Sequence, residues 1–297
     1  MDYVVLDLEW NQASDSRDAR NRLLTFEIIE IGAVKLNSRM EIVDTFEELI
    51  RPQVYDTMHH ITEKLIGIHM KDLSGCRTFD VVMKDFLAWC GEDFMFGTWG
   101  PQDLTELQKN MRFFGMEPLG KGPVRFYDIQ KLFSIAYEDQ KVRRSLEYAV
   151  DYLQIPKDIP FHRAISDAVY TARVFQMIKD PIALQRVSFD TFQLPENHRS
   201  EVHVVFDNYA KYISRLFPDK EALMADKEVL STRCYLCHHN LRKKVRWFSP
   251  NGKHYYSLSW CDKHGWMKGK IRVKKAEDDM VYAVKTTKLV GEKEVAA

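Results

Sequence analysis

Tyr3-Val4-Val5-Leu6-Asp7-Leu8-Glu9-Trp10 is an apolar run interrupted only by two acids near its end. Its β-branched and large apolar side chains suit a strand buried at the centre of a sheet and ending in function. Side chains alternate faces along a strand, so Asp7 and Glu9 point the same way with Cα atoms roughly 6–7 Å apart. Two carboxylates so placed can flank one divalent ion. Mg²⁺ or Mn²⁺ prefers hard oxygen ligands and keeps waters, which leaves room for a phosphate oxygen and an attacking hydroxide. Taken alone, Asp-x-Glu at a strand end is read equally well as two acids emerging at a sheet edge.

Working outward, the charge-dense stretch 11–25 reads as a loop. Residues 26–36 (FEIIEIGAVKL) and 42–50 read as two more strands around the turn-like Asn37-Ser38, an antiparallel start to the sheet. Helical spacing then takes over: Phe79, Val82, Met83, Phe86, Leu87 and Cys90 share one stripe, closed by Gly91. A short strand at 94–99 precedes Gly100-Pro101, after which Leu104, Leu107, Met111 and Phe114 recur at helical intervals, with Pro101 suited to a first turn. Further helices are expected at 128–137, 145–153 and 163–178, and Pro181 closes the domain. Strands followed by strand–helix alternation give an α/β domain, a mixed sheet covered by helices. Residues 182–230, broken by Pro195-Glu196-Asn197 and rich in helix formers from Lys220, read as a partly helical connector.

A chain of 297 residues that is 45% hydrophobic has material for one large domain and a smaller one. The net charge of zero hides an asymmetry: residues 231–275 hold twelve Lys and Arg against the single acid Asp262, so the remainder carries the compensating −11. An acidic body with a basic end is a common layout for an enzyme that handles nucleic acid, although a charged patch is more often a solvated surface. The N-terminus lacks a basic leader with an apolar core, and no stretch approaches the ~18 apolar residues of a membrane span. The expectation is a cytosolic (cytoplasmic) protein with no membrane partner, in which Cys76 and Cys90 are reduced, buried thiols.

Three more groups join the two acids. Asp103 lies in the first turn of the helix after Gly100-Pro101, where an acid is also simply well placed against the helix dipole. In Phe161-His162-Arg163-Ala164-Ile165-Ser166-Asp167-Ala168, a helix beginning near Arg163 leaves His162 on the entering loop and projects Asp167 from the second turn, so both can face one cleft. Four carboxylates and one imidazole are the ingredients of a two-metal phosphodiester-cleaving site.

The blocks Val4-Val5-Leu6-Asp7-Leu8-Glu9, Thr98-Trp99-Gly100-Pro101-Gln102-Asp103-Leu104 and His162-Arg163-Ala164-Ile165-Ser166-Asp167-Ala168 resemble, in order, the three motifs of the DEDDh 3′–5′ exonucleases. That superfamily includes proofreading exonucleases, RNase T and oligoribonuclease and has an RNase H-like fold. The stretches FEIIEIGA at 26–33, LIGIHMKDLSGCRTF at 65–79 and Thr98-Trp99-Gly100 look closest to its ERI-like or KapD-like branch. The resemblance spans about residues 1–180, taking the exonuclease domain as 1–181. It departs at Ile66, which stands where relatives carry threonine before Gly67-Ile68 near the 3′-terminal nucleotide, and in the longer 11–25 loop. What it implies is hydrolysis at the 3′ end of single-stranded nucleic acid, RNA slightly favoured over DNA, to 5′-mononucleotides. One Mg²⁺ or Mn²⁺ would be held by Asp7, Glu9 and Asp167, and a second bridged by Asp7 and reached by Asp103. His162 would be the general base, since an imidazole ordinarily titrates near ~6.5 and can be neutral in the cell. Trp10 would stack on the terminal base, or equally fill the core.

At the basic end, Cys234-x-x-Cys237 and Cys261-x-x-His264 flank a stretch centred on Pro250-Asn251-Gly252, and Asn-Gly is a strong hairpin signal. A hairpin returns the second pair beside the first, giving a Cys₃His site for one structural Zn²⁺ in a small zinc-ribbon-like β domain at 231–297. A redox Cys-x-x-Cys or unconnected thiols are the alternatives, and His238, His239 and His254 compete with His264 as fourth ligand. Period-two alternation puts Val245 with Trp247 on one face and Lys244 with Arg246 on the other; across the turn Tyr256, Leu258 and Trp260 form an apolar set, leaving Tyr255 opposite. Lys244, Arg246 and Tyr255 are thereby candidate contacts to nucleic acid, with Lys268 to Lys275 extending the charge. A catalytically silent, zinc-containing nucleic-acid-binding or regulatory protein on the same fold is the competing reading.

Overall fold

The computed structural model describes residues 1–13, 15, 20, 23–139 and 142–292, so residues 14, 16–19, 21 and 22 of the expected 11–25 loop lie outside the described part. The chain divides into two units, Met1–Leu119 with Val124–Phe192, and Gly120–Pro123 with Gln193–Ala297.

In the first unit the apolar run becomes β1 (Asp2–Asn11), followed by β2 (Glu27–Leu36) and β3 (Ile42–Leu49). Two short helices, α1 (His60–Ile66) and α2 (Met70–Leu73), lead to α3 (Phe79–Cys90), β4 (Phe94–Thr98), α4 (Gln102–Phe113), β5 (Val124–Asp128) and α5 (Ile129–Tyr137). Then come α6 (Leu146–Tyr152), α7 (Ala164–Met177), α8 (Pro181–Leu184) and β6 (Ser188–Asp190). The sheet runs β3-β2-β1-β4-β5-β6. Strands β1, β4 and β5 are parallel to one another and the remaining neighbours antiparallel.

Central placement of β1 follows from its two apolar faces. Val4, Leu6 and Leu8 pack with Phe79, Val82 and Phe86 of α3 and with Leu104, Leu107 and Met111 of α4. Val5, on the other face, packs with Ile129 and Phe133 of α5 and with Ala168, Ala172 and Phe175 of α7. Each Val, Leu, Ile, Met or Phe among them, fully buried, contributes roughly 1.5–3 kcal/mol, so helices are held to both faces. The row that begins with Val5 continues to Asp7 and Glu9, and the acids therefore emerge on the α7 side. On the far side α4 is anchored by the buried Asn110, which accepts from the Ile28 N–H at 3.1 Å and donates to the Phe26 carbonyl at 2.9 Å.

The second unit contains β7 (Val202–Val205), β8 (Tyr209–Ile213), α9 (Lys220–Ala225), β9 (Arg242–Phe248), β10 (His254–Cys261), β11 (Gly265–Lys275) and β12 (Val281–Val290). These strands form one antiparallel sheet ordered β7-β8-β12-β11-β10-β9. Residues 182–230, read from sequence as a connector, are distributed otherwise: β6 pairs with β5 in the first sheet, while β7 and β8 belong to the second. The expected hairpin forms at Asn251-Gly252, where Asn251 Oδ1 accepts from the Lys253 and His254 N–H groups at 3.0 and 2.9 Å.

The facing of that hairpin differs from the alternation read in the sequence. Tyr255 packs with Trp247 against the core of Tyr212, Phe217, Leu223, Ile271 and Ala283, so Tyr255 is an inward residue. Register shifts between β9 and β10 set Val245 opposite Leu258 and Phe248 opposite Tyr256, which takes Val245 and Trp247 to different faces. The reason lies at Gly269, where an added Cβ would sit 2.5 Å from the Trp247 ring. The indole crosses the inner face there and donates to the Leu230 carbonyl at 3.0 Å. No helix of the described residues is long and apolar enough to cross a membrane.

Candidate active site and candidate metal centre

Asp7, Glu9 and Asp167 each place a carboxylate oxygen within 4.8 Å of the others. Asp7 and Glu9 come from the end of β1 and Asp167 from the first turn of α7. The approach of α7 is set by Gly32, the β2 partner of Asp7: a Cβ there would lie 2.1 Å from Ala164 C and Ile165 N. Only a residue without a side chain lets the helix start so close to the strand.

Asp103, from α4, lies outside that close group, near enough for its charge to act on Asp7. It is 7% exposed, and the backbone N–H groups of Asp103 and Leu8 hold its carboxylate. Pairing of β1 with β4 stops at Val5, opposite Gly97, which frees the later amides of β1 for such contacts.

Burial, then the charges of Asp103, Asp167, Glu9 and Glu30, push Asp7 well above the usual carboxylate range. Burial and the neighbouring acids Glu30, Asp167 and Asp103 raise Glu9 to about 8, with Arg163 opposing. Asp103 is raised by burial against the pull of its two amide donors. Asp167 rises to about 6 through burial, opposed by the His162 N–H and ring. Without a cation these acids are biased toward their protonated forms, by burial first and by neighbouring like charge second. A further observation agrees with a cation site: Asp167 Oδ1 is buried without a hydrogen-bond partner.

A pH dependence follows. Each of these folded pKa values lies above the unfolded one, so the associated stability is complete below about pH 4 and is lost as pH rises toward about 8. A bound divalent ion offsets that loss. The thermal midpoint gained on adding Mn²⁺ should therefore be larger at about pH 8 than at about pH 5.5, by roughly 3 °C or more; equal gains at both would contradict the electrostatic account.

His162 is exposed and has a left-handed backbone, φ 67°, and its N–H donates to Asp167 Oδ2 at 3.3 Å. The next residue, Arg163, donates through Nε and Nη2 to the fully buried Glu30 at 3.0 and 2.7 Å. Glu30 is the register partner of Glu9, so this pair ties the His162 loop to β2 beside the acids. Neither Glu30 nor Gly32 stood among the candidate site residues. The signals were a charge and a glycine inside an otherwise apolar strand.

Of the candidate substrate contacts, Trp10 is half-buried with its ring 5.4 Å from that of Phe26, packed against the core below β1. Gly67 caps α1 with φ 69°. Ile68 is 5% exposed and, with Ile66, packs on Ile29 and Leu73, so both side chains belong to the core rather than to an open contact surface. Lys244 and Arg246 are exposed on the edge strand β9, away from Tyr255, which is turned inward.

In the second unit Cys234, Cys237, Cys261 and His264 bring their donor atoms within 4.8 Å of one another. Cys237 Sγ is 3.7 Å from Cys261 Sγ, and His264 Nδ1 is 3.4 and 3.6 Å from the sulfurs of Cys234 and Cys261. A tetrahedral ion with metal–sulfur bonds of ~2.3 Å has S···S edges of about 3.8 Å, so the spacing fits. Burial pushes the Cys234 thiol up to about 11; at Cys261 burial is outweighed by the Lys263 and His264 amides and the His264 ring, which bring it to about 6. His239 instead meets the Cys237 carbonyl at 2.9 Å, and His254 lies near Asn251. Cys76 and Cys90 are free thiols; Cys90 is buried as expected, but Cys76 is only half-buried.

A family profile described as exonuclease matches residues 4–175. The human 3′-5′ exoribonuclease 1 is 24% identical over 171 residues, covering 54% of this chain and 48% of that protein. The PolC-type DNA polymerase III of Listeria monocytogenes is 25% identical over 188 residues, 63% of this chain and 12% of the polymerase. The chain thus spans about half the length of the exoribonuclease and a small part of the polymerase. Among solved structures, the nuclease domain of 3′hExo, a DEDDh family member bound to rAMP, superimposes with a TM-score of 0.53 at 22% identity, covering 63% of this chain and 96% of that one. A 3′-exonuclease recognising the histone mRNA stem-loop gives 0.50 at 20% identity, over 59% and 80%. These likenesses establish the fold of the first unit, a mixed sheet of the RNase H-like kind.

Proposed function

Because the chain belongs to the exonuclease family over residues 4–175, we propose that its first unit is a metal-dependent 3′–5′ exonuclease that shortens single-stranded nucleic acid to nucleoside 5′-monophosphates. The observation that carries this reading is the meeting of Asp7, Glu9 and Asp167 within 4.8 Å, with one buried oxygen of Asp167 unpartnered. Asp7, Glu9 and Asp167 would hold one Mg²⁺ or Mn²⁺, and Asp7 with Asp103 a second. Bound there, such ions supply a water acidic enough to attack at neutral pH and offset charge on the leaving 3′ oxygen. His162, exposed beside Asp167, accepts the proton of the attacking water. Arg163 holds that loop in place through Glu30. RNA is the favoured substrate, in keeping with the exoribonuclease name of the human relative and the rAMP bound to the matching nuclease domain.

A 5′-labelled single strand incubated with Mg²⁺ or Mn²⁺ should shorten, and EDTA should stop it. RNA and DNA of one sequence compared side by side should show RNA consumed faster. A strand left intact in both metals would overturn the assignment and favour a silent binding protein.

The Cys234, Cys237, Cys261 and His264 group would hold one structural Zn²⁺, with the second unit presenting the strand. Purified protein should then carry about one zinc per chain, and Cys261→Ser should lose it together with the folded signal of that unit. A zinc-free preparation with an unchanged near-ultraviolet spectrum would contradict the metal.

A further inference from the structure

The second sheet has one packed face and one face that its own core leaves uncovered. Paired residues on neighbouring antiparallel strands share a face, and β10 sets Trp260 opposite Trp266, Leu258 opposite Lys268, Tyr256 opposite Lys270 and His254 opposite Arg272. The alternate residues Ser257, Ser259, Cys261, Met267, Gly269 and Ile271 are the buried ones. None of Tyr256, Leu258, Trp260, Trp266 or Phe248 belongs to the apolar clusters of this unit. Large rings therefore lie where a sheet facing only water would carry small polar groups.

Cations interleave with those rings. The Trp260 and Trp266 rings meet edge to face at 5.1 Å, and Phe248 lies 6.1 Å from Tyr256. Lys270 Nζ stands 5.8 Å over the Tyr256 ring. Along β11 the exposed Lys268, Lys270 and Arg272 recur at every second residue, about 6.6–7 Å apart. Arg272 at the end of this row, with His254 and Lys274, also lines a cavity of about 590 Å³ at the end of the sheet. Its other wall is formed by Lys220, Lys253 and Lys275 and by Val273 and Val281 of the packed face. No carboxylate lines this cavity among the described residues. The field of the cluster registers on His254, whose pKa is lowered by burial and by Lys270, Arg272 and Lys253.

We propose that this outer face and its terminal cavity form a track for single-stranded nucleic acid, with Tyr256, Trp260 and Trp266 stacking bases and Lys268, Lys270 and Arg272 holding phosphates. Stacking needs unpaired bases with free π-faces, and a cavity of cations without acids suits a polyanion. An acidic protein would match the charge and leave the rings without a partner. The inference rests on nucleic acid being the substrate, and moves the contacts from Lys244, Arg246 and Tyr255 to the face that the register exposes.

The test uses the full chain carrying Asp7→Asn, so that the strand survives, and a fluorescent single-stranded oligonucleotide titrated over a range of salt. Lys270→Gln with Arg272→Gln should weaken binding about tenfold or more and reduce the log–log salt slope by about 1.4, near 0.7 for each lost phosphate contact. Trp260→Ala should weaken it about 5- to 100-fold with the slope unchanged; Tyr256→Ala, farther from the cysteines, serves if the first variant does not fold. Parental affinity and slope in these variants would overturn the track, as would displacement of the strand by polyglutamate at equal concentration. Cleavage of a p-nitrophenyl nucleotide ester by the unmutated chain with Mn²⁺ examines the nuclease reading separately; failure there removes that reading and leaves the binding result standing.

Discussion

Gly32→Ala is expected to cost 10²-fold or more in kcat/KM on a single-stranded substrate while the sheet stays folded. The added methyl would stand 2.1 Å from backbone atoms of Ala164 and Ile165, and backbone cannot rotate aside as a side chain does. The start of α7 must then retreat by more than an ångström, taking Asp167 and the His162 loop away from Asp7 and Glu9. A displacement of that size at reacting groups costs about 10²-fold. Stability should fall by only about 1–3 kcal/mol, the usual cost of overpacking. Gly97→Ala is the matched control, since its Cβ would meet the end of the flexible Ile129 side chain at 2.9 Å. Full activity in Gly32→Ala, with folding checked by circular dichroism, would show that the approach of α7 does not set the site.

Asp7→Ala should abolish metal-dependent digestion, a loss of about 10³-fold or more, because each ion is expected to use this carboxylate and several kcal/mol of charge stabilisation go with it. The same change should leave the metal-free fold as stable as before, or more so. Burial and four neighbouring acids already push the Asp7 pKa upward, so removing it relieves repulsion. Lost activity with an unchanged or higher thermal midpoint separates a metal-site role from a structural one. Undiminished activity in the purified variant would refute the assignment.

The architecture of the first unit was legible because its signals are local. Strand β1 is an apolar run buried on both faces whose Val5 row continues to Asp7 and Glu9, and the stripes of α3 and α4 are spaced as helices require. The link between Arg163 and Glu30 was not legible, since partners 133 residues apart leave no mark on spacing. In the second unit, β12 pairs along the whole of β11 although Lys285 and Lys288 interrupt its apolar pattern. Lys285 is buried nevertheless, donating to the Glu228 and Ser231 carbonyls. The face of β10 was misread because hydrophobicity usually marks the inside. Here the indole of Trp247 fills the inner face over Gly269, with the small Ser257, the partner of Gly269, beneath it and Tyr255 packed beside it, while Tyr256, Leu258 and Trp260 lie on the other face.

The most direct measurement follows the products from one strand labelled at its 5′ end, resolved by length over time and identified by mass. The account predicts a ladder losing one nucleotide at a time from the 3′ end, nucleoside 5′-monophosphates as the released species, and dependence on Mg²⁺ or Mn²⁺. Internal fragments, shortening from the 5′ end, or digestion that persists in EDTA would contradict it.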